Sequence, residues 1–209
     1  MKISAFILLL FLTGTLSAQS EQEALKILDS FSAKAATAPS VSMKFDLVTI
    51  NDVEKTSDTL KGSVILSGDK YRLELPDNII FFNGQSSWSF LPAEKEVTVT
   101  NVDKDDESFM NRPSSVFSIY KNGYKSRLLE ETADKYIVDL YPEDLKSELV
   151  RIRLTIGKSL DLKSLEYKRR DGITAYLNVR EYDLKKKPSP DTFTFPKEKY
   201  KDVDLIDMR

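Results

Sequence analysis

Two stretches of this 209-residue sequence crowd carboxylates together, Glu143-Asp144 and Asp103-Lys104-Asp105-Asp106-Glu107, and paired carboxylates are the residues of acid–base hydrolysis. Neither stretch has a spacing that sets one carboxyl apart as acid and another as base. Both read as solvated loop or helix-start charge. Histidine is absent, which removes Ser-His and Cys-His nucleophile pairs, histidine metal sites and the usual general base of neutral pH. Cysteine is absent too, so no disulfide supports the fold. Serine and lysine are plentiful, but no spacing marks a Ser-Lys pair. The expectation is a protein that is not an enzyme, with no cofactor and no metal site.

The patterned residues are apolar. Between Gly62 and Val99, Val64 and Leu66, Tyr71, Leu73 and Leu75, Ile80 and Phe82, Trp88 and Phe90, and Val97 and Val99 recur at every second residue, the period of a strand with one apolar face. Gly68-Asp69 and Asn83-Gly84 can supply the positive φ angles of tight hairpins, and Pro76-Asp77 and Pro92-Ala93 interrupt the ladder. Just upstream, Met43, Phe45 and Leu47 alternate with Lys44, Asp46 and Val48. Such a face offers apolar surface to whatever covers it, and the flanking elements decide what that is.

The first element is an address. Lys2, the apolar run from Phe6 to Leu12 and the small-residue exit Leu16-Ser17-Ala18 read as a secretory signal peptide over residues 1–18. The run is far short of the roughly 20 residues that span a bilayer. Cleavage after Ala18 leaves a single domain, 19–209, that begins at Gln19 and carries no lipid anchor. Ser20-Glu-Gln-Glu23 is a capping-box signature, predicting a helix from there to about Ala36, ahead of Pro39. Its stripe of Ala24, Leu28, Phe31 and Ala35 should lie on the sheet.

Beyond Val102, Phe109 and Met110 lead through Pro113 into a short predicted helix over 114–122, closed by Gly123. Phe109, Met110, Val116, Phe117 and Tyr120 form its apolar face. Strands then resume. Tyr136, Val138 and Leu140 alternate, as do Val150, Ile152, Leu154 and Ile156, and Leu162–Arg169 and Ile173–Leu184 flank Asp171-Gly172 as a hairpin. About ten strands and two helices make a mainly β (α+β) chain. If the sheet folds on itself it is a filled sandwich; if it curls under the helices a cavity remains. Periodicity leaves both open. The charges, 31 basic against 33 acidic with no basic block, exclude nucleic acid as a partner.

Gly62-Ser-Val64-Ile-Leu66, Tyr71-Arg-Leu73-Glu-Leu75, Asn83-Gly84-Gln-Ser-Ser-Trp88-Ser-Phe90-Leu-Pro92 and Glu96-Val97-Thr-Val99, in that order, resemble the core of the periplasmic outer-membrane lipoprotein carriers, the LolA family. The tail, Thr192-Phe193-Thr194-Phe195-Pro196 and then Val203 to Arg209, resembles the family's closing pattern. The resemblance implies a half-open antiparallel β-barrel covered by an N-terminal helix and a short helical lid. It implies a periplasmic monomer whose chamber, walled by Met43, Phe45, Leu47 and the alternating residues from Val64 to Val99, encloses acyl chains under a lid of Phe109, Met110, Val116, Phe117 and Tyr120. The implied partners are acylated lipoproteins, an inner-membrane release complex and an outer-membrane acceptor. One departure stands out: where the family has an arginine-proline pair whose arginine ties sheet to lid, this chain has Gly68-Asp69-Lys70. Lys70 and Arg72 are the nearest cations, and Arg72 is out of phase with the apolar face. Two alternatives stay beside the carrier: a lipid- or lipoprotein-sensing regulator on the same half-barrel, and a structural β-sandwich with a filled core.

Overall fold

The computed structural model describes residues 4–101 and 109–209, with side chains from residue 19 onward. The acidic stretch Asp103–Glu107 and the side chains of the expected signal peptide lie outside the described residues. The chain opens with one helix, α1 (Ser4–Thr37), which passes through Ser20 without a break. With residues 4–18 present, the capping box expected there does not form. With helical turns ahead of Ser20, the N–H groups that a cap would satisfy already have carbonyl partners. Ser20 Oγ instead donates to the carbonyl of Leu128, 3.0 Å away. Helix α1 stops at Thr37, just before Pro39.

Twelve strands follow among the described residues: β1 (Val41–Asn51), β2 (Thr56–Ser67), β3 (Lys70–Glu74), β4 (Ile79–Phe82), β5 (Ser86–Leu91), β6 (Glu96–Asn101), β7 (Tyr124–Glu131), β8 (Lys135–Pro142), β9 (Leu149–Gly157), β10 (Leu162–Arg169), β11 (Ile173–Asp183) and β12 (Asp204–Asp207). They form one sheet in the order β12-β6-β5-β4-β3-β2-β1-β11-β10-β9-β8-β7. Two antiparallel meanders are thus joined where β1 pairs with β11. The short β12 adds in parallel to β6. The sheet is open, with β12 and β7 at its two edges.

One face of the sheet wraps α1. Ala24, Leu28 and Phe31 of the helix, each fully buried, share a single apolar cluster with Val64 and Leu73 of the first meander and Val138, Leu154 and Leu165 of the second. The core is one sheet on one helix, not two sheets on each other, so the filled sandwich is not the architecture. A register shift at Lys44/Phe45 adds curvature to β1. Gly62, opposite Phe45 on β2, leaves room for its ring: a Cβ at Gly62 would stand 2.6 Å from Phe45 Cζ.

The opposite face of β4 to β6 has its own cluster. Phe81, Trp88, Phe90, Val97 and Val99 pack under Phe195, with Tyr200 and Val203 beside them. The C-terminal segment lies over this patch as a strap, with ring centroids of Phe90 and Phe195 5.2 Å apart and of Phe90 and Tyr200 4.6 Å apart. The segment between β6 and β7 is not the single helix expected over 114–122. It forms two 3-10 turns, Pro113–Phe117 and Ile119–Lys121, because Ser118 at φ −133° breaks the helical run between them. Gly123 ends the segment at φ +74°, in the left-handed region expected of it.

Candidate functional site: an apolar cavity under the 109–124 segment

A cavity of about 440 Å³, open on one side, lies between the sheet and the 109–124 segment. Its floor is the β1–β11 seam, where Leu47 faces Leu177 and Thr49 faces Ala175 across the ladder. Tyr167 on β10 pairs with Ala175 from the other side, and the small Ala175 leaves space beside that ring. Leu149 on β9 and Tyr124 at the start of β7 close the flank, and Phe109, Met110 and Ile119 form the roof.

The roof is fastened at several points. Phe109 meets the Phe45 ring edge-on at 5.5 Å, and Phe117 packs on Phe31 of α1 at 5.0 Å. Tyr71 on β3 donates its hydroxyl to the Asn111 carbonyl at 2.8 Å, and Tyr120 donates to Asp29 Oδ1 on α1 at 2.6 Å. Burial, and next the neighbouring Asp29 carboxylate, push the Tyr120 hydroxyl up to about 12. Arg72 is turned away from the apolar face as its phase predicts, paired with Glu74 at 2.6 Å and lying over the Phe81 ring. Among the described residues, a tyrosine hydroxyl ties the sheet to the segment.

Of the residues expected to wall a chamber, Leu47, Phe109 and Met110 line the cavity. Met43, Phe45, Val64, Leu66, Tyr71 and Leu73 lie on the same face but in the closed part of the core, each 3% exposed or less. Leu75, Ile80 and Phe82 are half-buried at the margin of that core. Val116 and Tyr120 are buried between segment and helix, and Phe117 is half-buried against α1. Trp88, Phe90, Val97 and Val99 are on the other face, under the C-terminal strap, and do not share a cluster with Leu73. Strand pairing sets this. Trp88 pairs with Phe81 and Phe90 with Ile79, the outward residues of β4, while Ile80 and Phe82 face inward with Leu73 and Tyr71.

Ile119, Tyr124, Leu149, Tyr167, Ala175 and Leu177 were not assigned to a site from sequence. Tyr167 and Leu177 sit in strands the alternation did reveal, and following the phase of Leu165 and Val179 would have found them. Leu149 was hidden by a bulge: the register slips between Lys168/Arg151 and Arg169/Leu149, so Leu149 faces the cavity and Val150, expected inside, is 38% exposed.

One guanidinium stands at the mouth. Arg169 lines the cavity there and reaches Glu148 Oε2 and Asp171 Oδ2, both at 2.8 Å. The guanidinium, through its hydrogen bond, holds the Asp171 carboxyl below its usual range, and Asp171 in turn raises Arg169. Among the described residues no group of His, Cys, Asp or Glu side chains is placed to hold a metal ion. An apolar, open-sided hollow with its charges confined to the rim can hold an apolar ligand.

Residues 14–173 match the family described as outer membrane lipoprotein carrier protein LolA. Among curated proteins no match is found. The fold is similar to that of an uncharacterized conserved protein from Thermus thermophilus, at a TM-score of 0.58 and 14% identity, over 88% of this chain and 99% of that one. A LolA superfamily protein from Nitrosomonas europaea aligns at a TM-score of 0.43 and 14% identity, over 82% of this chain and 97% of that one.

Proposed function

The chain belongs to the LolA family of outer membrane lipoprotein carriers, and from that premise we propose that it is a periplasmic carrier. It shields acyl chains of lipoproteins in the cavity and moves them from the inner to the outer membrane, and no bond is made or broken. The observation that carries this reading is the open apolar hollow between the β1–β11 seam and the 109–124 segment. An acyl chain gains about 0.8 kcal/mol for each CH₂ taken out of water, so a wall of Leu47, Leu149 and Leu177 under Phe109 and Met110 supplies the driving force without any catalytic group. At about 440 Å³ the hollow has the size of an ordinary small-molecule pocket. A lipid with more than one long chain enters only when the roof lifts from Tyr71 and α1, which makes the segment a lid.

The carrier works as a monomer after loss of residues 1–18. It receives its load from an inner-membrane release complex and yields it to an outer-membrane acceptor. Among the described residues no helix is long and apolar enough to cross a membrane. The test is mass spectrometry on protein recovered gently from its periplasm, followed by transfer of a labelled lipoprotein from inner-membrane vesicles into solution. Co-purified acylated lipoproteins and solubilised label are expected. A protein that comes out lipid-free and leaves the label on the vesicles is not a carrier.

A further inference from the structure

The sheet is open at β7, and a groove of about 430 Å³ runs along that edge. Lys125, Ser126, Arg127 and Leu128 line one side of it, Ser20 and Glu21 of α1 the other. Two hydrogen bonds set the phase of the edge. The Glu143 N–H donates to the Gly123 carbonyl at 2.8 Å, so Gly123, Lys125 and Arg127 turn their main-chain groups toward β8. Leu128 turns its carbonyl the other way, where Ser20 Oγ caps it at 3.0 Å. Ser126 shares the phase of Leu128, so its N–H and C=O point to the open edge. Its side chain is buried, at 4% exposure, and Oγ has no hydrogen-bond partner, a costly state for a hydroxyl. Exposed Lys125 and Arg127 flank it, and among the described residues neither has a carboxylate. Asp139, opposite Arg127, is taken by Arg153 at 2.7 Å and by the Tyr141 hydroxyl at 3.0 Å.

Resting on the carrier reading, we propose that the β7 edge holds the peptide chain of the bound lipoprotein as an added strand, and that it favours peptides with acidic residues at alternate positions. Continuity with the cavity selects this occupant. Tyr124, two residues before Ser126 on β7, lines the cavity, so a peptide tethered to acyl chains there meets the edge as it leaves. A cargo acylated at its first residue then runs from Tyr124 toward Leu128, parallel to β7. Its main chain pairs with that of Ser126 through bonds that do not depend on sequence. Preference enters through side chains, which alternate along the added strand. One set falls beside Lys125 and Arg127, where carboxylates find partners. The other falls beside Ser126, where a serine oxygen can accept from the idle hydroxyl. Against the two cations, Glu21 is the one acid that lines the groove among the described residues. The cations are solvated, so the preference is modest and fades with salt.

The experiment titrates the full-length mature protein, at low ionic strength, with N-palmitoyl peptides of alternating Ser-Asp or Ser-Lys sequence and with methyl palmitate. The Ser-Asp lipopeptide should bind about fivefold tighter than the Ser-Lys one, the size of one close ion pair in water. Lys125→Glu with Arg127→Glu should reverse the order. N-methylation of the Ser-Asp lipopeptide at every second residue should weaken it about tenfold in one phase and leave it unchanged in the other, because only one set of its N–H groups faces β7. Ser126→Pro removes the N–H at the edge and should shrink that difference between phases. Denaturant unfolding reports whether this variant folds, and the N-methyl comparison on the native protein decides without it. Equal binding of the two lipopeptides, with N-methylation idle in both phases, overturns the added strand, while binding of methyl palmitate leaves the carrier intact. An unlipidated Ser-Asp peptide that binds as tightly as the lipidated one gives the edge to another protein, and a dimer in sedimentation that Ser126→Pro dissolves gives it to a second copy. Either result overturns the cargo assignment. Failure of every palmitoyl ligand to bind overturns the carrier reading and this one with it.

Discussion

Tyr120 donates its hydroxyl to Asp29 Oδ1 at 2.6 Å, joining the segment that roofs the cavity to a helix 91 residues earlier in the chain. Asp29 is exposed and can be rehydrated, so Tyr120→Phe should cost only about 1 kcal/mol by denaturant unfolding. A raised tyrosine pKa means that the folded state favours the neutral phenol. Its stabilisation is fully present below the unfolded value near 10 and is lost as pH rises through about 12. Unfolding measured from neutral pH to pH 11 should show the native protein weakening above pH 10 and the phenylalanine variant weakening less. Identical slopes would remove the Tyr120–Asp29 bond from the account.

Gly62 holds open the space that the Phe45 ring occupies, and Phe45 supports Phe109 in the cavity roof. A Cβ at Gly62 would stand 2.6 Å from that ring and 3.1 Å from the Glu74 carbonyl. Gly62→Ala should therefore destabilise by about 1–3 kcal/mol. It should also loosen the roof, read as faster exchange of a bound fluorescent ester. A neutral effect on both would show that the ring swings aside without cost.

Leu73 and Leu47 point to the same side of the sheet yet should respond differently. Leu73 is fully buried under α1, and truncation to alanine there should cost about 2–5 kcal/mol. Leu47 is half-buried on the cavity floor, so Leu47→Ala should cost about 1 kcal/mol or less. Leu47→Glu should stay folded and fail to keep a lipoprotein in solution. If the charged variant retains lipid as the native protein does, the acyl chains are not in this cavity.

The strap over Phe81 and Phe90 has an acid-sensitive end. Arg209, through its side-chain hydrogen bond, holds the Asp207 carboxyl down to about 2, and its Nη1 also reaches Ser86 Oγ at 3.2 Å. A depressed carboxylate stabilises the fold above its unfolded value near 4 and ceases to do so as pH falls toward 2. The protection of the Met208 N–H, which bonds the Val99 carbonyl, against hydrogen exchange relative to its intrinsic rate should therefore fall below pH 4. Arg209→Gln should show the lower protection at neutral pH already. Unchanged protection in that variant would mean that the backbone ladder alone secures β12.

The export reading places the first residue of the mature chain at Gln19. Intact-mass measurement on protein secreted across the inner membrane should give that start within a residue or two, with no lipid attached. Retention of Met1 would count against both the address and the carrier.

The face of β1 to β3 could be read from sequence because Met43, Phe45, Val64, Leu66, Tyr71 and Leu73 alternate strictly with polar or half-exposed neighbours. That reading failed at β4 to β6 for a physical reason. Ile79-Ile80-Phe81-Phe82 is apolar on both sides, and such a run carries no phase to hand on to Trp88. What makes the outer side apolar is Phe195 and Tyr200, whose arrival no local pattern announces. The cavity was harder still. Its floor depends on which strands meet at the β1–β11 seam, and its flank on a bulge at Val150, and both are tertiary facts. Pro113 and Gly123 bracket the two 3-10 turns of the roofing segment, while the break at Ser118 has no signal among the residue types.

The seam between β1 and β11 also governs how the molecule is made. Lys44 and Glu181, ion-paired across it, are separated by 137 residues, whereas each meander is built from neighbours in sequence. Either meander can begin to zip as soon as its hairpins form, but closing the loop that unites them waits on nearly the whole chain, and such distant pairings are slow. A polypeptide threaded through a membrane from its N-terminus would expose one unpaired edge of β1 until β11 emerged. During that interval it presents a template for aggregation that the finished protein keeps at the centre of its sheet.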